Sequence, residues 1–155
     1  MNDLAASAGG SIESRVDLVD PRAPRFGQAI TATLLLAGAA AGAPALVYAV
    51  AAILGLAALT RWRLDLYAVT WRRLAIPIVG APPEREPATP HRFAKLLGAG
   101  GSLIASLLLV LGLFLPGFAI AAFVGLLAAL GATTGFCLGC QMYRQVSVLR
   151  RRGVL

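Results

Sequence analysis

Between Arg25 and Arg61, and again between Lys95 and Arg144, the chain carries no charged side chain. A short soluble core would not need apolar runs of that length. Composition agrees: of 155 residues, 58% are hydrophobic and only 14% charged, well below the roughly 25% charged residues of soluble domains. The expected fold class is an all-α membrane protein.

A crossing helix takes roughly 17–25 residues. The first run, residues 26–60, just holds two crossings joined at Gly42-Ala43-Pro44, with Arg25 and Arg61 reaching out to the interface. The second run, residues 96–143, holds two with a turn at Pro116-Gly117. We therefore expect four transmembrane helices arranged as two hairpins, in one membrane domain over residues 16–155. The divisions are hairpin 26–60, a connecting segment 61–92, hairpin 93–143 and a basic tail 144–155. Residues 1–15 are expected to be a disordered, cytoplasmic N-terminus. The first 25 residues have no apolar core and no small-residue cleavage site, so no signal peptide is expected.

Two prolines, Pro21 and Pro24, place the start of the first helix after Pro24. In the connecting segment Leu64, Tyr67, Trp71 and Leu74 recur at helical spacing, with Arg61, Asp65 and Arg72 on another side. Both tryptophans of the protein, Trp62 and Trp71, fall here. Indoles favour the headgroup layer, which argues for an amphipathic helix lying in the interface; a plain extension of the second crossing is the alternative. Pro77 should end that helix, and Gly80 to Pro90 should form a stiff proline-rich linker.

The two halves echo each other. Pro21-Arg22-Ala23-Pro24-Arg25-Phe26 leads into the first hairpin, and Pro87-Ala88-Thr89-Pro90-His91-Arg92-Phe93 into the second. Two crossings per half make these parallel repeats, related by an axis along the membrane normal. Neither hairpin turn carries a basic residue, while the termini and the central segment carry all 14. The positive-inside rule then puts both termini and the central segment in the cytoplasm. The charges flank apolar spans and form no independent basic module, so nucleic acid is not an expected partner; the lipid bilayer is.

Small residues recur four apart at Gly38 and Gly42, at Gly98, Ser102 and Ser106, and at Gly131, Gly135 and Gly139. Each set is expected on one helix face, where it permits close helix approach. A homo-oligomer is compatible with such faces, but no specific residue demands one.

The only two cysteines stand as Cys137-Leu138-Gly139-Cys140, where the last apolar run meets the basic tail. On the cytoplasmic side a structural disulfide is unusual. Three readings stay open. One is thiol–disulfide exchange or sulfur relay, with Cys137 and Cys140 as nucleophile and resolver in unassigned order. Another is metal binding, for which these cysteines and His91 supply three ligands where a closed zinc site wants four. The third is structural filling, in a non-enzymatic scaffold or small permease. A thiolate is disfavoured at the C-terminal end of a helix. A break at Gly135 or Gly139 that starts a new helix near Cys140 would reverse that, and Arg144, Arg92 or His91 would help if close. His91 itself reads as a solvated interfacial residue. No nucleotide loop, catalytic triad or intramembrane ionisable group is present, and no cofactor is expected.

The Asp20-Pro21-Arg22-x-Pro24-Arg25-Phe26 string, its Pro90-x-Arg92-Phe93 echo and the Cys137-x-x-Cys140 exit resemble the bacterial membrane family called domain of unknown function 4395. The likeness covers about residues 16–150. It implies an inner-membrane location, and the composition looks actinobacterial. Members often stand beside thioredoxin-like and rhodanese-like sulfur-transfer proteins, which implies a partner of that kind. The resemblance carries no established activity.

Overall fold

The computed structural model of the chain describes residues 18–82, 85–135 and 138–151. It is helical almost throughout. A two-residue strand β1 (Leu18–Val19) precedes α1 (Arg22–Ala41) and α2 (Pro44–Leu59). Then come α3 (Leu66–Thr70), a π-helical turn (Trp71–Ala75) and α4 (Ile76–Val79). A second short strand β2 (Glu86–Pro87) leads into α5 (Ala88–Val110), α6 (Phe114–Thr134) and α7 (Leu138–Arg151).

α5 and α6 are long and apolar enough to cross a membrane. α2 is apolar but shorter, and α1 carries Arg22 and Arg25 at its start. By length and composition, then, two of the four expected crossings are met in full.

Each hairpin is closed by a left-handed residue. Gly42 (φ 63°) ends α1, and Pro44 opens α2, where its missing N–H costs nothing. The second turn is not at Pro116-Gly117. Gly112 (φ 78°) makes it, and Pro116 sits in the first turn of α6. Proline is tolerated there because those N–H groups have no helical partner. Gly117 instead lets α6 close on α5, with a Cβ there falling 2.8 Å from Leu109 Cγ.

Helix pairing follows the repeat. α1 packs most extensively on α6 and α2 on α5, so the first helix of each hairpin rests on the second helix of the other. The lead-in strands pair antiparallel, Leu18 opposite Pro87 and Val19 opposite Glu86. Beyond each hairpin an aromatic ring returns to the lead-in phenylalanine. Phe26 meets Trp71 at 5.4 Å and Phe93 meets Tyr143 at 5.7 Å, with interplanar angles of 51° and 49°.

Side-chain size is graded outward. The centre holds Leu35, Val47, Val50 and Leu54 among many alanines and glycines, while Val110, Leu115 and Phe123 stand 71%, 85% and 62% exposed. Small inside and large outside is the grading of helices whose surroundings are as apolar as their core.

Several expectations shift. α1 begins at Arg22, ahead of Pro24, because a proline in the first turn forfeits no helical bond. The aromatic stripe of the connecting segment divides: Tyr67 is buried, whereas Leu64 and Leu74 are exposed. Asp65 sets the phase by capping α3, accepting from the Ala68 N–H at 3.2 Å, and the π turn then rotates α4 relative to α3 by its extra residue. Pro77 does not end the element; it lies in the first turn of α4, which runs on to Gly80. The far end of the linker is pinned as β2 and the start of α5. Residues 144–151 of the expected basic tail form the second half of α7, and residues 152–155 lie outside the described residues. Residues 1–15 lie outside the described residues.

Candidate functional site

The site is built where the lead-in segments, α3 and α7 converge. Asp20 holds this end together twice: Oδ1 accepts from the Arg22 N–H at 2.9 Å and Oδ2 from the Trp71 indole N–H at 3.0 Å. Asp65, only 8% exposed, accepts from the Lys95 ammonium as well as capping α3. A buried carboxylate needs such partners, since desolvation alone would be costly. His91 pairs with Glu86 at 3.3 Å.

At the end of α6 the helix breaks. Gly135 is left-handed (φ 70°), its N–H closing on the Gly131 carbonyl at 3.1 Å. The Arg25 guanidinium from α1 lies directly on Gly135, so that any Cβ there would collide with Nη2. One turn earlier Gly131 receives the Gln28 amide, whose Oε1 would sit 2.8 Å from a Cβ. The guanidinium thus rests at the negative end of the α6 dipole. Gly131, Gly135 and Gly139 do not share a helix face: the first belongs to α6, the second ends it, and Gly139 lies in α7. Likewise Gly38 packs against α2 while Gly42 forms the turn.

α7 starts at the residue after Cys137, and the Cys140 backbone lies in its first turn. Cys137 itself lies outside the described residues. Asp65 precedes α3 as Cys137 precedes α7, and each stands the same distance ahead of the ring that meets its lead-in phenylalanine, Trp71 or Tyr143.

Behind this end lies a cavity of about 440 Å³ among α1, α5 and α6, roofed by Tyr67 and Met142. Its depth is apolar. Its head end carries Gln28, Thr31, Tyr67, His91 and Lys95. The Thr31 hydroxyl donates to the Tyr67 hydroxyl at 3.0 Å, both residues being buried. Gly27 makes room for the Tyr67 ring, a Cβ there falling 3.1 Å from Cδ2. Burial pushes the Tyr67 phenol above its ordinary value, the Asp65 carboxylate adds to the rise, and the Thr31 bond opposes it.

Of the basic groups expected near the cysteines, Arg144 follows Cys140 along α7, whereas His91 turns to Glu86 and the cavity. The residue that reaches the break is Arg25, which the sequence presented as part of a repeated string and as the interfacial end of the first apolar run, not as a neighbour of the cysteines. Tyr67, Thr31 and Lys95 were missed as a group because they lie on three separate helices. Asp65 was legible only as a polar residue of the connecting segment. Among the described residues no group of three His, Cys, Asp or Glu is placed to hold a metal ion.

The fold defines a helical protein with small-residue packing, an apolar exterior and at least two helices suited to a bilayer. The chain belongs to the family described as Domain of unknown function (DUF4395), whose profile matches residues 19–147. No curated protein matches the chain, and no solved structure does.

Proposed function

We propose that the chain is a four-crossing protein of the bacterial inner membrane, with both termini cytoplasmic, that performs thiol–disulfide exchange or sulfur relay through Cys137 and Cys140. The observation that carries this reading is the helix break at Gly135. Without it the cysteines would fall in the last turns of α6, where the dipole opposes a thiolate. With it Cys140 lies in the first turn of α7, where unpaired N–H groups favour one. The repeat adds support: the residue before α3, in the place corresponding to Cys137, is an anion, Asp65.

The chemistry balances without a cofactor. A thiolate of the pair attacks a partner's disulfide, forms a mixed disulfide and expels the partner's thiolate. The second thiol, losing its proton, then attacks the mixed disulfide; the Cys137–Cys140 disulfide forms and the partner leaves as a dithiol. In the relay form the thiolate attacks the outer sulfur of a partner persulfide, becomes the persulfide and releases the partner thiolate. The chemistry requires a partner that presents a disulfide or a persulfide, and a thioredoxin-like or rhodanese-like protein fits that role.

Membrane insertion is supported by the outward grading of side-chain size. α1 and α2 reach across by carrying Arg25 and Arg61 to the interface, which their basic ends favour. Alkylation of each cysteine against pH, in membranes from cells quenched in acid, tests the thiol reading. At least one thiol should titrate well below the ordinary value of about 8.5 and occur as a disulfide or persulfide. Two unreactive thiols, fully reduced in cells, would sink it.

A further inference from the structure

We infer that the cavity among α1, α5 and α6 binds an uncharged lipid-soluble carbonyl compound, an apolar chain with a hydrogen-bond-accepting head. This stands independently of the thiols. Its volume, about 440 Å³, lies within the roughly 300–1,000 Å³ usual for small-ligand sites.

Three observations fix the ligand's chemistry. First, polarity is confined to one end. The walls below Lys95 are Gly98 and Gly101 of α5 and Ile120, Val124 and Ala128 of α6, which offer a chain no polar side chain. Second, the cavity opens sideways. Leu97 and Phe123 line it from α5 and α6 and are also 46% and 62% exposed, so a chain enters between those helices from the surrounding lipid. The helices close again at Gly101, where a Cβ would lie 2.6 Å from Val124 Cγ2.

Third, the head end has hydrogen bonds to give but no unmatched charge. Its ionisable groups besides Tyr67 are Lys95 and His91, which face Asp65 and Glu86. A charged head would find no counter-ion there and would have to break one of these pairs. Thr31 and Tyr67 bring two hydroxyl protons, and their mutual bond uses one. Both residues are buried, 6% and 4% exposed, and both line the cavity. The second proton suits a carbonyl oxygen, because a buried donor left unmatched is expensive. A quinone with a prenyl tail and an acylglycerol share this chemistry.

The test is photolabelling of the full chain in lipid nanodiscs with three probes: a photoreactive short-chain quinone, a diazirine-bearing monoacylglycerol, and a diazirine-bearing fatty acid ionised at pH 8. The quinone or the acylglycerol should label peptides spanning residues 94–101 and 120–128, and whichever does so names the source. Excess unlabelled probe should compete the signal away, Ala128→Phe should abolish it, and Tyr67→Phe should weaken binding about tenfold, the size of one lost hydrogen bond. Strongest labelling by the fatty acid overturns the uncharged head. Labelling spread along outward-facing residues, or not competed in the unaltered protein, overturns the site.

Discussion

Phe93 meets Tyr143 in nearly the geometry in which Phe26 meets Trp71, 5.7 Å and 49° against 5.4 Å and 51°. Each pair clasps the end of a hairpin to its beginning, and tilted aromatic pairs contribute about 1 kcal/mol beyond the area they bury. In a Trp62→Phe background, where Trp71 is the sole indole, Phe26→Leu should redden its emission and lower the thermal midpoint. Unchanged emission would mean the ring contact is not maintained in solution.

Gly135→Ala should be the most damaging small substitution at the cysteine end. It places a Cβ against the Arg25 guanidinium and forces alanine into the left-handed region, at a cost of about 1–2 kcal/mol. Gly131→Ala meets only the end of the Gln28 side chain, which can swing aside, and should cost less. On the proposed function Gly135→Ala also slows alkylation of Cys140, whereas Gly131→Ala leaves it nearly unchanged. Comparing alkylation rates for the two variants separates the roles.

Asp65→Asn keeps an oxygen to cap α3 but leaves the Lys95 ammonium without its counter-charge in a site where its side chain is only 20% exposed. Breaking a buried pair from one side costs about 3 kcal/mol. The double variant Asp65→Asn with Lys95→Met should recover more than half of that loss, because no uncompensated charge remains. A double-mutant cycle on thermal unfolding reads the coupling.

The raised Tyr67 phenol makes stability depend on alkaline pH. Since the folded protein holds this proton more tightly than the unfolded chain, the contribution is complete below the ordinary phenol value of 10.0. It is lost as pH rises through the higher folded value. Monodispersity after incubation across that range should decline for the parent protein. Tyr67→Phe, which has no proton to lose there, should decline less steeply.

Ser106 carries the one buried side-chain oxygen without a hydrogen-bond partner among the described residues. Its neighbour on the same face, Ser102, donates to the Gly98 carbonyl at 2.8 Å. Ser106→Ala should therefore be neutral or stabilising by up to about 1 kcal/mol, and Ser102→Ala destabilising by a similar amount. The order of their thermal midpoints checks both.

The sequence by itself determined the apolar hairpins, the turn at Gly42, the repeated lead-in and the isolation of the two cysteines. These depend on where charges, prolines and glycines fall along one dimension. It also misplaced the second turn at Pro116-Gly117, since proline is as much at home in a first helical turn as in a loop. Only the tertiary structure decided that Arg25 lies on Gly135, that α6 ends there, and that Lys95 meets Asp65 beside Tyr67. α2 and α6 are apolar on nearly every side, so no stripe in their sequences marks which neighbour each will face. That choice rests on where small residues let backbones approach, and it is settled only when all the helices pack at once.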